Sequence, residues 1–275
     1  MSASLVPGKL VELLPGVRRL VAPNPSLMTG PGTNSYLLGE QGAVIIDPGP
    51  SIDAHLAALR AAAPGLEAVL VTHTHPDHSP GACAFAADAE LLGRPAPEGR
   101  HQDRSFRPAR VLADGDLVAV ADVRLRVVHT PGHASNHLCF LREDDGLLFT
   151  GDHIINGSTV VIDPPDGDMR AYLESLERLL HAGVRCIAPG HGELIDEPAA
   201  AIEALIEHRL GREEKVAAAL AAHPGLTLEE LTKVVYAAVD ARLHPVAARS
   251  LLAHLEKLAG DGRARSVDGR WQPAG

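Results

Sequence analysis

Residues 70–81 read LVTHTHPDHSPG, and within them His73, His75, Asp77 and His78 fall inside six positions directly after an apolar run. Protonated imidazoles that close together repel one another, and neutral ones need hydrogen-bond partners. A satisfied polar loop could hold them, and so could a bound cation. The density favours the cation, because imidazole nitrogens and carboxylate oxygens at this spacing are donors for a divalent metal.

The same local grammar recurs downstream: an apolar strand pattern, a glycine turn, then a donor. LRVVHTPGH ends at His133, GLLFTGD at Asp152 and VRCIAPGH at His191. AVIIDPG offers Asp47, which reads either as an acceptor orienting a ligand histidine or as a cap at a strand end. Strand ends distant in sequence can converge in space, and two metal shells then assemble. His73, His75 and His133 would hold one ion; Asp77, His78 and His191 would hold the second, with Asp152 bridging. Two zinc ions ~3.5–4 Å apart could share one hydroxide and polarise a substrate oxygen, and iron or manganese fits a similar donor set. Asp77 is also the candidate catalytic residue, orienting that hydroxide and moving its proton. His55, His181, His208, His223, His244 and His254 lie in or beside helical patterns and receive no function.

At 275 residues, with 45% hydrophobic and only 3% aromatic residues, the chain can bury a large aliphatic core. Cys83, Cys139 and Cys186 lack metal or disulfide spacing and read as buried thiols of a reducing compartment, so a cytoplasmic location is expected. MSASLVPGKLVELLPG lacks the basic start and long apolar segment of a signal peptide, and no membrane association is expected. A formal net charge of −10 argues against broad nucleic-acid binding, although residues 207–275 are nearly neutral.

Short apolar runs with Gly/Pro punctuation alternate with helical patterns through the first two thirds. SIDAHLAALRAAA predicts a helix capped by Ser51, and residues 92–111, rich in Pro and Arg, predict a surface loop that solvates itself or meets an anionic substrate. After His191 the character changes. Helical patterns at 198–223, 227–239 and 244–260, then a hairpin turning on Asp268-Gly269, suggest a winged helix-turn-helix module. The predicted organisation is a catalytic domain over residues 1–200 and a winged-helix-like domain over residues 201–275.

The HTHPDH motif, with His133, Asp152 and His191 following in order, resembles the metallo-β-lactamase superfamily over roughly residues 10–200. That resemblance implies an α/β chain folded as an αββα sandwich, with a dinuclear site at one edge and the ligands assigned as above. NPSLMTGPGTNSYLLG, TPGHASNHLCF and the winged-helix-like tail are similar to the β-lactamase-like protein 2 group, which implies endoribonuclease activity on single-stranded RNA and places Thr33 and Asn34 near the site. Asp152 stands where the best-known lactamases carry cysteine, and His75 stands where flavodiiron reductases carry glutamate, which favours hydrolysis over redox chemistry.

The alternative is a glyoxalase-II-like hydrolase of small thioesters, esters or lactones using the same metals. DNA binding through the tail is disfavoured, because HPVAARSLLAHLEKLAG offers chiefly Arg249 and Lys257 among alanines and leucines. The tail is expected to pack over the metal edge and shape substrate access, or to contact a second copy in a homodimer.

Overall fold

The computed structural model describes residues 5–274; the first four residues, which open the stretch lacking signal-peptide features, and Gly275 lie outside it. Two sheets face one another. Strands β1 (Leu10–Leu14), β2 (Val17–Val21), β3 (Asn34–Leu38), β4 (Val44–Ile46), β5 (Ala68–Leu70), β6 (Glu90–Gly93) and β7 (Arg110–Val111) lie side by side in chain order. Strands β8 (Leu117–Val120), β9 (Val123–His129), β10 (Leu138–Arg142), β11 (Leu147–Gly151) and β12 (Cys186–Pro189) form the second sheet, in the order β12-β11-β10-β9-β8.

Period-two patterning decides which face each side chain takes. On β10, Leu138 and Phe140 enter the core between the sheets, while Cys139 and Leu141 face the outer helical layer. On β3, Tyr36 and Leu38 point inward and Leu37 outward. Helix α1 (Asp53–Ala62) covers the outer face of the first sheet through Leu59. Helix α2 (Met169–Leu180) covers the second through Tyr172, Leu176 and Leu179. The result is the four-layer αββα order. Asp168 caps α2 by accepting from the Ala171 amide, whereas α1 starts from Ile52 without a side-chain cap, so Ser51 is not its cap.

The chain from Pro198 onward adds Ile202 and Ala253 to the core outside the second sheet and builds a further core beyond it. Helices α3 (Pro198–Ala222), α4 (Leu228–Val235) and α5 (His244–Gly260) pack with a small sheet of β13 (Leu226–Thr227), β14 (Ala264–Val267) and β15 (Arg270–Pro273) around Leu231, Leu251, Leu255 and Trp271. The β14–β15 hairpin turns on Asp268 and Gly269, both at positive φ. Helix α4 stops at Val235, short of the pattern read to 239, because the chain turns at Tyr236 toward a short 3-10 segment at Ala241–Leu243.

Two further expectations need correction. Residues 92–111 are more than a surface loop: Phe106 is fully buried behind α1, and the Asp103 amide donates to the Thr74 carbonyl at 2.6 Å, strapping the segment over the histidine loop. Cys83 is exposed and Cys186 half-buried; only Cys139 is a buried thiol, so the cysteines do not argue for a compartment. No described helix is long and apolar enough to cross a membrane.

His254 on α5 is buried, neither ring nitrogen has a hydrogen-bond partner, and burial followed by Arg209, Arg212 and Lys257 pushes its pKa down to about 3. The unfolded chain therefore takes up a proton below its own pKa of ~6.5 while the folded chain resists, so stability is full above that pH and lost as pH falls. Metal-free wild type should lose roughly 2–3 kcal/mol more than His254→Leu between pH 7.5 and 4.5, read from urea midpoints. Parallel pH dependences would overturn this account.

Candidate metal centre

The donor loop follows β5, where the strand ends and the backbone turns at Thr72. His73 and His78 are buried, while Asp77 stays partly open. His133 follows β9, Asp152 follows β11 and His191 follows β12, so three strands of the second sheet deliver donors toward a loop of the first. Close approach demands glycine at two positions. A Cβ on Gly132 would sit 2.3 Å from Tyr172 Cα, and one on Gly190 would sit 2.8 Å from Asp152 Oδ1 and His78 Cε1.

All seven residues singled out from the sequence come together. Donor atoms of His73, His75 and His133 lie within 4.8 Å of one another, and so do those of Asp77, His78 and His191. Asp152 stands between the two groups. Its Oδ1 is 3.3 Å from His78 Nε2 and 3.2 Å from His191 Nε2, and its Oδ2 is 3.7 Å from His133 Nε2. Tetrahedral donors ~2.0–2.1 Å from a zinc ion stand about 3.3 Å apart, so these separations suit shared coordination.

Hydrogen bonds behind the ligands select the tautomers. Asp47 accepts from the Thr72 amide at 2.8 Å, from Thr72 Oγ1 at 2.7 Å and from His78 Nδ1 at 2.9 Å. Thr72 Oγ1, its proton committed to Asp47, accepts from His73 Nδ1 at 3.0 Å. His133 Nδ1 donates to the Val161 carbonyl at 2.7 Å, and His191 Nδ1 donates to the Gly32 carbonyl at 3.3 Å. Each bond leaves an Nε2 turned toward the centre. His75 presents Nδ1 instead, 3.0 Å from His133 Nε2. The two readings left open for Asp47 are thus resolved in favour of the acceptor that orients a histidine.

Electrostatics divide the cluster. Burial, reinforced by neighbouring imidazoles, pushes His73 well down and His75 down to about 3, leaving them neutral with lone pairs available. Burial opposes charge on His78 and His191 too, but carboxylates overcome it: Asp77, Asp152 and Asp47 lift His78 well up, and Asp152 and Asp77 lift His191 to about 10. Each of those two Nε2 atoms faces two carboxylates, and only a proton or a metal ion can sit between such groups. His73 Nε2, His78 Nε2 and Asp152 Oδ1 are buried without a hydrogen bond, as atoms meant for a metal would be. The donor set fits two divalent cations.

Thr33 and Asn34 fix the surroundings. Thr33 Oγ1 donates to Asp77 Oδ2 at 3.2 Å. Asn34 Nδ2 donates to the Pro189 and Gly192 carbonyls at 2.9 and 2.8 Å, and Arg19 bonds Glu193 at 2.7 Å, so β2 and β3 clamp the loop carrying His191. Sequence reasoning missed the layer beneath: His137 stacks 4.9 Å from His73, and His153 is buried edge-on to Tyr172. His137 lies four residues after His133 within TPGHASNHLCF and His153 directly follows Asp152, and burial holds both neutral.

An open cavity of about 580 Å³ runs from these ligands to the C-terminal helices. Its far wall includes Arg209 and Arg212 of α3, Tyr236, and Val246 and Arg249 of α5, so the C-terminal unit lies over the metal edge. The cations that a DNA-reading α5 would present are engaged within the chain: Arg249 pairs with Asp163, and Lys257 with Glu213 and Asp261.

An αββα frame with a histidine–aspartate cluster at its strand ends defines a metal-dependent hydrolase scaffold. The chain belongs to the metallo-β-lactamase superfamily, which residues 28–191 match, and residues 227–271 match the β-lactamase associated winged helix domain. It is 34% identical to the beta-lactamase-like protein 2 homolog of Drosophila melanogaster, over 95% of this chain and 94% of that one. It is 33% identical to the atrochrysone carboxyl ACP thioesterase of Aspergillus fumigatus, over 76% of this chain and 66% of that one. A crystal structure of a metallo-β-lactamase family protein from Thermus thermophilus superposes with a TM-score of 0.80 at 26% identity, covering 95% of this chain and all of the other.

Proposed function

We propose that the protein is a dinuclear-metal thioesterase, with His73, His75 and His133 holding one ion, Asp77, His78 and His191 the other, and Asp152 between them. Zinc suits the imidazole-rich set, and iron or manganese is the alternative occupant. The carrying observation is the cavity: about 580 Å³, bounded by the C-terminal helices, it has the size and mixed lining of a small-molecule site. Kinship with an acyl carrier protein thioesterase supports the same bond type.

Divalent cations held by these residues would lower the pKa of a water and polarise the carbonyl to be attacked. Asp77, steadied by Thr33, takes the proton from the attacking water and returns it to the departing sulfur. One water is consumed, the C–S bond breaks, and a carboxylic acid and a thiol leave. A thiolate departs readily, so the reaction asks little of a separate general acid.

Single-stranded RNA is the second reading, favoured by the arginines of the cavity wall and weakened by the acidic chain as a whole. Metal-loaded protein should release thiol from an acyl-thioester panel, lose that activity to a chelator and regain it with zinc, while a single-stranded oligoribonucleotide stays intact. Metal-dependent cleavage of the RNA with inert thioesters would reverse the assignment.

A further inference from the structure

The cavity wall opposite the ligands carries positive charge that the chain itself only partly answers. Arg209 and Arg212 stand three positions apart on α3, and Arg249 reaches in from α5. Arg209 is only 3% exposed. Its Nη2 donates to the Val160 carbonyl at 2.6 Å, its guanidinium lies 5.3 Å from the Tyr172 ring centre, and its Nε is buried without a partner. Arg212 lies 4.4 Å over the Tyr236 ring and reaches the Val235 carbonyl at 3.4 Å. Neither forms an ion pair with a described residue; Arg249 does, with Asp163 at 3.0 Å.

Carbonyl oxygens and aromatic faces fix these guanidiniums in place without cancelling their charge. A buried cation lacking a carboxylate is costly, and a bound anion recovers that cost. The local field is visible at His208 on the same wall, where burial first and then Arg209 and Arg212 push the imidazole pKa down. Asp166, the other carboxylate on this side, already accepts from Gln102 and Ser135. Val239, Leu243 and Val246 line the same cavity and suit an aliphatic tether.

We infer that Arg209, Arg212 and Arg249 form a phosphate-binding subsite that holds the far end of the thiol arm, so that the substrates are acyl thioesters whose leaving thiol ends in a phosphate ester. This rests on the thioesterase reading and specifies its substrate class. Phosphate is favoured over carboxylate because guanidiniums arriving from two helices can share its oxygens, while a carboxylate offers only two. The apolar side chains of the same cavity contact the tether, and the scissile carbonyl lies at the ligands.

The test pairs two thioesters with the same acyl group, S-acyl 4′-phosphopantetheine and S-acyl pantetheine, on metal-loaded protein. Wild type should favour the phosphorylated one in kcat/KM by about 10–100-fold, the worth of charge-assisted hydrogen bonds. Arg212→Ala should collapse that ratio to within about threefold, and Arg212→Lys should keep part of it. The ratio is the readout, so a general loss of activity does not imitate the result. A wild-type ratio near one, or a ratio unmoved by Arg212→Ala, overturns the subsite.

Equilibrium binding of 4′-phosphopantetheine against pantetheine tests the subsite without catalysis. If neither thioester is hydrolysed but the phosphorylated arm still binds at least about tenfold tighter, and Arg212→Ala removes the difference, the subsite stands and the thioesterase reading falls. Equal affinities overturn the subsite. Arginine-dependent binding of a single-stranded oligoribonucleotide in preference to 4′-phosphopantetheine overturns the assignment to a thiol arm.

Discussion

Asp152→Ala should leave the protein folded but lower kcat/KM by at least about 10³-fold and reduce bound metal from two ions per chain toward one or none. The reason is position. One carboxylate faces His78 and His191 with one oxygen and His133 with the other, so its removal takes a donor from both groups at once. His75→Ala should be milder toward the second ion, because its partners are His73 and His133. Metal content by atomic emission, measured beside thioesterase rates, separates the two variants. An Asp152→Ala protein that kept both ions and full activity would remove the basis for the proposed centre.

Asp47 should be nearly as sensitive although it stands behind the ligands. It is 2% exposed and accepts from the Thr72 amide, the Thr72 hydroxyl and His78. Asp47→Ala strands those donors in a dry interior and should cost roughly 3–5 kcal/mol of metal-free stability. Asp47→Asn separates fold from site. The amide oxygen can still accept from the Thr72 amide, but an NH₂ in place of Oδ2 faces both the Thr72 hydroxyl, which then accepts from it, and His78, whose ring proton it drives to Nε2, where a metal would bind. Metal affinity by chelator competition should fall about 10–100-fold with a much smaller loss of stability. Equal losses in both variants would show that Asp47 only supports the fold.

The donor cluster was legible because HTHPDH crowds its donors into one loop, and because His133, Asp152 and His191 each close the same strand-then-glycine phrase. The sandwich was expected from the family resemblance that this motif carries, and period-two alternation on strands such as β10, whose side chains divide between the two cores, is how the chain builds it. Other features depend on contacts that no local pattern displays. Arg209 and Arg212 read as ordinary polar positions of a long helix, and only the docking of α3 against the loop after β11 turns them into a cavity wall. The Pro and Arg content of residues 92–111 signals a surface loop; the burial of Phe106 converts it into a strap. The exposure of Cys83 is likewise set by a tertiary surface and not by its neighbours in sequence.

The segment between β11 and α2 has a wider bearing. Arg209 grips the Val160 carbonyl, the next carbonyl along receives His133, and Asp163 two residues further is tied to Arg249. The helical tail therefore acts on the imidazole through a single stretch of backbone, like a hand resting on a lever. Exchanging tails between members of this superfamily would consequently transplant more than a specificity cap: a graft lacking those guanidiniums would leave the donor geometry of the catalytic half unsupported.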